Sequence, residues 1–229
     1  MRLFIAVRLP HDQAERATRI LTGPLPALRR VQPELLHLTL AFLGSAPEER
    51  LSAVVRAVSA AASRFAPFEL GLGALGRFPD RGPANVVWVR ATAGAAELTA
   101  LGDGVRRALR AARIDFDDKP FRPHMTLGRI RHGADPDDVR AVEAQVAAAA
   151  PPDIRFEVRE VHVVESTLSP RGPRYASLEA VPLGAGRRVG EHVDGGRAAD
   201  PRESPGRRRV PEEARRRPRG DARRLRPDR

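Results

Sequence analysis

Two segments, Leu36-His37-Leu38-Thr39-Leu40 and Pro123-His124-Met125-Thr126-Leu127, constrain this chain more than anything else in it. Each reads His-x-Thr-Leu inside an apolar run of strand character, and the histidines stand 87 residues apart. Side chains alternate faces along a strand, so His37 and Thr39 share one face and their apolar neighbours take the other. On that alternation Leu36, Leu38, Leu40 and Phe42 are expected to point one way, away from His37 and Thr39. Met125 and Leu127 oppose His124 and Thr126 in the same manner. A buried strand that spends its second face on a histidine and a hydroxyl, twice, marks a site.

The surroundings of the two segments repeat as well. The spacing predicts a first strand over 2–9, then a helix over 10–21 that Pro10 opens and Gly23-Pro24 ends. The first motif strand follows over 35–43. A helix then runs to about Arg64, with Leu51, Val54, Val55 and Val58 on one face. A strand begins at Phe68, residues 77–83 form a turn-rich loop, Asn85 to Arg90 is a strand, and a helix spans 95–112. The second half has its motif strand over 122–130, a helix over 135–150, one long alternating strand over 154–165, and a last strand over 172–181. His37 to Phe68 is 31 residues and His124 to Phe156 is 32; His37 to Arg81-Gly82-Pro83 is 44 and His124 to Arg171-Gly172-Pro173 is 47. The chain therefore reads as a duplicated α+β unit. Two facing units related by an approximate two-fold would bring both histidines to one cleft.

Composition bounds the rest. At 229 residues the chain can bury a substantial core. It has no cysteine, which excludes a disulfide framework, a thiolate metal site and a thiol nucleophile, and fits a reducing cytoplasm. Charge interrupts the first eight residues too early for a signal peptide, and no apolar run reaches membrane-spanning length. The net charge of +11 is concentrated late: residues 184–229 hold 15 Arg against eight acids, leaving +4 on residues 1–183. That tail has almost no core formers, so residues 184–229 are expected to be disordered and residues 1–183 to form the folded domain. Its Arg clusters at 207–209 and 215–217 suit a polyanion through counterion release, although the interspersed acids favour a plain solvated extension.

Two imidazoles facing one cleft suit acid–base chemistry, because histidine exchanges its proton near neutrality. A zinc site needs three or four ligands, and nothing at ligand spacing accompanies the pair, so no metal and no cofactor is expected. His162 lies in an alternating strand and reads as packed or exposed; His11, His132 and His192 are assigned no role.

The paired motifs, the Phe121-Arg122-Pro123-His124 lead-in, the Leu40-Ala41-Phe42-Leu43-Gly44 run and the stretch from Arg171 to Tyr175 resemble the 2H phosphoesterases. Within them the resemblance is to the bacterial RNA 2′,3′-cyclic phosphodiesterases, also known as 2′–5′ RNA ligases, over residues 1–182. It implies a bilobal α+β fold, with antiparallel sheets and flanking helices around a central cleft. It further implies metal-independent hydrolysis of a 2′,3′-cyclic phosphate at an RNA end, leaving a 2′-phosphate. On the same resemblance His37 is the proton donor, His124 the proton acceptor, and Thr39 and Thr126 contact the phosphate. Arg122 is a candidate to approach the phosphate, since guanidinium suits bidentate contact, with a plain strand-edge charge as the alternative. Arg171 and Tyr175 are candidate nucleotide contacts, Tyr175 by stacking, and Phe78 is a further stacking candidate. Trp88 and Phe42 are expected in the core. The partner is then an RNA end, with no membrane, and the protein is expected to be a monomer. The alternatives are a 2′–5′ ligase running the reverse reaction and an RNA-end-binding module without turnover; the intact His and Thr at all four positions weigh against the module.

Overall fold

The structure is a computed structural model that describes residues 1–170 and 172–184. The chain order is β1 (Arg2–Arg8), α1 (His11–Thr18), β2 (Leu28–Arg30), β3 (His37–Ser45), α2 (Leu51–Ala62), β4 (Phe68–Phe78), β5 (Val86–Ala91), α3 (Ala95–Ala111), β6 (His124–Ile130), α4 (Pro136–Ala148), β7 (Ile154–Val158), β8 (Glu160–Ser169) and β9 (Gly172–Pro182). All nine strands among the described residues join one antiparallel sheet, ordered β7-β4-β5-β6-β3-β1-β8-β9, with β2 added to β6. The two motif strands β3 and β6 lie at its centre.

The helices form where apolar residues recur at helical spacing. In α3, Leu98, Leu101, Val105 and Leu109 are fully buried on one stripe, and in α2 Val54 and Val58 do the same. The start of α4 is set by Asp135, whose carboxylate accepts from the Asp137 amide at 2.7 Å, and by Pro136 in the first turn. These faces and the buried sides of the central strands, among them Leu38, Leu40 and Met125, make one continuous core. No helix among the described residues is long and apolar enough to cross a membrane.

The expected duplication exists, with its last strands exchanged. Each half runs strand, helix, motif strand, helix, strand: β1-α1-β3-α2-β4, and β5-α3-β6-α4 leading to β8. The first strand of each half lies beside its own motif strand, but β4 crosses to pair with β5 and β8 crosses to pair with β1. The lobes are thus interlocked rather than sequential.

One expected strand is two. The run over 154–165 breaks at Arg159 into β7 and β8, which go to opposite sides of the sheet. Ile154, Phe156 and Val158 are buried, then Val161 and Val163, so the buried parity switches from even to odd at the break. The two Phe-Glu-aliphatic segments are direct partners, with Glu69 opposite Glu157, instead of symmetry mates. Likewise the turn at 81–83 leads into β5, inside the sheet, whereas the turn before Gly172 leads into β9 at its edge. Residues 77 and 78, expected in a loop, end β4. Of the expected tail, residues 185–229 lie outside the described residues, as does Arg171.

Candidate active site

β3 and β6 meet at one residue pair, Leu38 opposite Met125, both fully buried. Their antiparallel register puts His37 level with Thr126, and Thr39 level with His124. The four half-buried side chains share the face opposite Leu38 and Met125. This is the cleft expected from the repeat.

Both motif strands carry a bulge at the same offset. Ile5 pairs with Ala41 and Ala6 with Thr39, which leaves Leu40 unpaired; Val87 pairs with Gly128 and Trp88 with Thr126, which leaves Leu127 unpaired. Each bulge resets the alternation. Leu40 and Ala41 are both buried, and Phe42 turns out to the cleft face at 53% exposure instead of joining the core. Leu127 and Gly128 are buried in the same way, and Arg129 turns out. Phe42 and Arg129 both stand five residues after their histidine. Strict alternation puts Arg129 on the buried face, where an unpaired guanidinium is not tolerated. That conflict was the signal in the sequence, and reading by alternation alone missed it.

The backbone orients both imidazoles. His37 Nδ1 lies 2.7 Å from the Leu35 carbonyl oxygen and His124 Nδ1 lies 2.6 Å from that of Arg122, in each case two residues upstream. A carbonyl only accepts, so Nδ1 carries the hydrogen in both rings and Nε2 is left to exchange a proton. Burial pushes His37 below the ordinary histidine range; the Arg8, His124 and Arg129 charges push the same way, against the pull of its hydrogen bond. His124 is lowered first by burial and then by Arg129 and Arg122, with its own hydrogen bond opposing. Arg129 therefore acts on both rings, and on Tyr175 too, whose hydroxyl burial holds high.

The walls are aromatic and differ between lobes. The His37 ring centroid is 4.8 Å from that of Phe4 and 5.4 Å, edge-on, from that of Tyr175. Tyr175 reaches His37 from β9, three strands away, because the sheet curls. His124 has Phe78 at 5.2 Å and Trp88 at 6.2 Å. Trp88 is thus a half-buried wall of the cleft instead of a core residue, packed on Gly76 opposite it. Arg122 lies 3.4 Å from Asp80 and 5.7 Å from the Phe78 ring centroid. His162 is packed: its Nε2 is 3.2 Å from Glu160 Oε1 and its Nδ1 is 2.9 Å from Ser177 Oγ. It borders a cavity of about 420 Å³ that reaches Arg8.

An antiparallel curled sheet with paired His-x-Thr strands at its centre defines a 2H phosphoesterase. Within that class the chain belongs to the 2′-5′ RNA ligase superfamily, whose family model matches residues 9–169. It is 33% identical over 181 residues to the RNA 2′,3′-cyclic phosphodiesterase of Archaeoglobus fulgidus, covering 78% of this chain and 98% of that one. It resembles a solved Thermus thermophilus protein with TM-score 0.66 and 33% identity, over 81% of this chain and 99% of that one. Against Escherichia coli LigT solved with 3′-AMP, the TM-score is 0.64 and the identity 27%, over 80% and 97% of the two chains.

Proposed function

We propose that this protein hydrolyses 2′,3′-cyclic phosphate ends of RNA to 2′-phosphates, using two histidines and no metal. The observation that carries the reading is the matched pair of imidazoles at the cleft, each with Nδ1 bonded to a backbone carbonyl and Nε2 left for chemistry. The name of the Archaeoglobus relative supports the substrate, and the 3′-AMP held by LigT supports a nucleotide in this fold.

In the proposed step His124 Nε2 takes a proton from water, and the water oxygen attacks phosphorus. The bond from phosphorus to the ribose 3′ oxygen breaks in line, and that oxygen takes the proton from His37 Nε2. The product is a 2′-phosphate and a 3′-hydroxyl; solvent then restores both rings. The donor and acceptor roles follow the family resemblance. Thr39 and Thr126 donate to the non-bridging oxygens, and Arg129 supplies the positive charge. The phosphate's own negative charge offsets Arg129 and favours the protonated His37 that the step requires. Phe42 and Tyr175 offer faces for the nucleoside.

The test is a short RNA ending in 2′,3′-cyclic phosphate, incubated with EDTA and the wild-type, His37→Ala or His124→Ala protein. The expected outcome is a 2′-phosphate from the wild type alone. Activity that disappears on chelation, or that survives in either variant, would overturn the two-histidine mechanism.

A further inference from the structure

The three residues of β2 extend the sheet alongside β6 below the point where β3 begins. Leu28 is buried opposite Ile130, and Arg30 turns inward to donate to the Leu21 and Gly23 carbonyls. Arg29 does neither. It is exposed and stands directly opposite Arg129. Directly opposed residues of an antiparallel pair share a face with Cβ atoms about 5 Å apart, and like charges there repel. Neither arginine pairs with a carboxylate among the described residues. Two adjacent cations left unrelieved at the cleft fit a ligand with more than one negative charge.

The two side chains serve different places. The charge of Arg129 falls on His37, His124 and Tyr175. The Arg29 guanidinium instead reaches the start of β9, with Nη2 3.4 Å from where a Cβ on Gly172 would stand. One phosphate at the histidines under Arg129 leaves Arg29 for the next phosphate along a strand. We propose that Arg29 binds the phosphodiester on the 5′ side of the terminal nucleotide, so that the site selects an oligonucleotide end over a free cyclic mononucleotide. This inference rests on the cyclic-phosphodiesterase reading and names the substrate's length class.

Calorimetry with product ligands tests it, because product binding needs no turnover. A trinucleotide ending in 2′-phosphate and a nucleoside 2′-phosphate are titrated into wild-type, Arg29→Ala and Arg29→Lys protein. The wild type is expected to prefer the trinucleotide, Arg29→Ala to cut that preference about tenfold, and Arg29→Lys to restore most of it. The salt slope of trinucleotide affinity should fall by about 0.7 in Arg29→Ala. An unchanged preference, or an equal loss for both ligands, overturns the proposal, the second because it puts Arg29 on the terminal phosphate. Failure of the underlying activity shows separately, as wild-type protein that does not open a cyclic end.

Discussion

Gly76 lies opposite Trp88 across β4 and β5. A Cβ at position 76 would stand 2.3 Å from Trp88 Cζ2 and 2.4 Å from Cη2. Carbon atoms settle at about 3.5 Å or more, so Gly76→Ala obliges the indole to move by roughly 1.2 Å. The ring is rigid and has Phe78 at 5.1 Å and His124 at 6.2 Å, so its displacement is passed to the wall that positions His124. Overpacking of this kind costs about 1–3 kcal/mol of stability. A misplacement of about 1 Å in a catalytic group lowers turnover by about 10²-fold, which is the upper bound expected here. Trp88 is the sole tryptophan of the chain, so intrinsic fluorescence reports on this ring alone. The assay pairs the emission spectrum of Gly76→Ala with its kcat on an RNA cyclic-phosphate end. Adding Trp88→Leu should relieve the overlap and recover stability. If Gly76→Ala leaves both emission and kcat unchanged, the indole does not buttress the site and the reasoning fails.

Three further outcomes are expected. The pH profile of kcat/KM should be bell-shaped and reports the free protein. Burial and the nearby arginines lower both imidazoles, so the maximum should fall below the ordinary histidine value of about 6.5. Removing one positive charge by Arg129→Gln makes both rings easier to protonate, and whatever activity remains should peak at higher pH; a peak that stays put or moves to lower pH contradicts the electrostatic role of Arg129. Met125 is fully buried where β3 and β6 pair, and Met125→Ala should cost about 3 kcal/mol, or roughly 6–12 °C in Tm by calorimetry. A shift under about 2 °C would mean that this junction carries little of the fold.

The site was legible in the sequence wherever local periodicity governs it. Alternation placed His37 with Thr39 and His124 with Thr126, apart from Leu38 and Met125, and their burial follows that pattern. Helical spacing located the four helices of the described residues to within a few residues, and Pro10, Pro136 and Gly23 marked ends that the structure keeps close to. Trp88, on the unbroken alternation of β5 between buried Val87 and Val89, was placed in the core by its apolar character alone. Phe42 and Arg129 were misread or missed for one reason. Period-2 reasoning carries a face assignment along a strand until something inserts a residue, and the bulges at Leu40 and Leu127 are recorded only in the pairing with β1 and β5.

By itself the sequence determined that His37 and Thr39, and His124 and Thr126, share strand faces, and that two similar units must meet. These follow from backbone geometry within a few residues of each motif. Only the tertiary structure decided which strands become neighbours: the break at Arg159, the exchange of β4 and β8 between lobes, and the curl that carries Tyr175 to His37. It alone set Arg29 against Arg129. Such pairings are hydrogen bonds between segments far apart in the chain, and no local period encodes them.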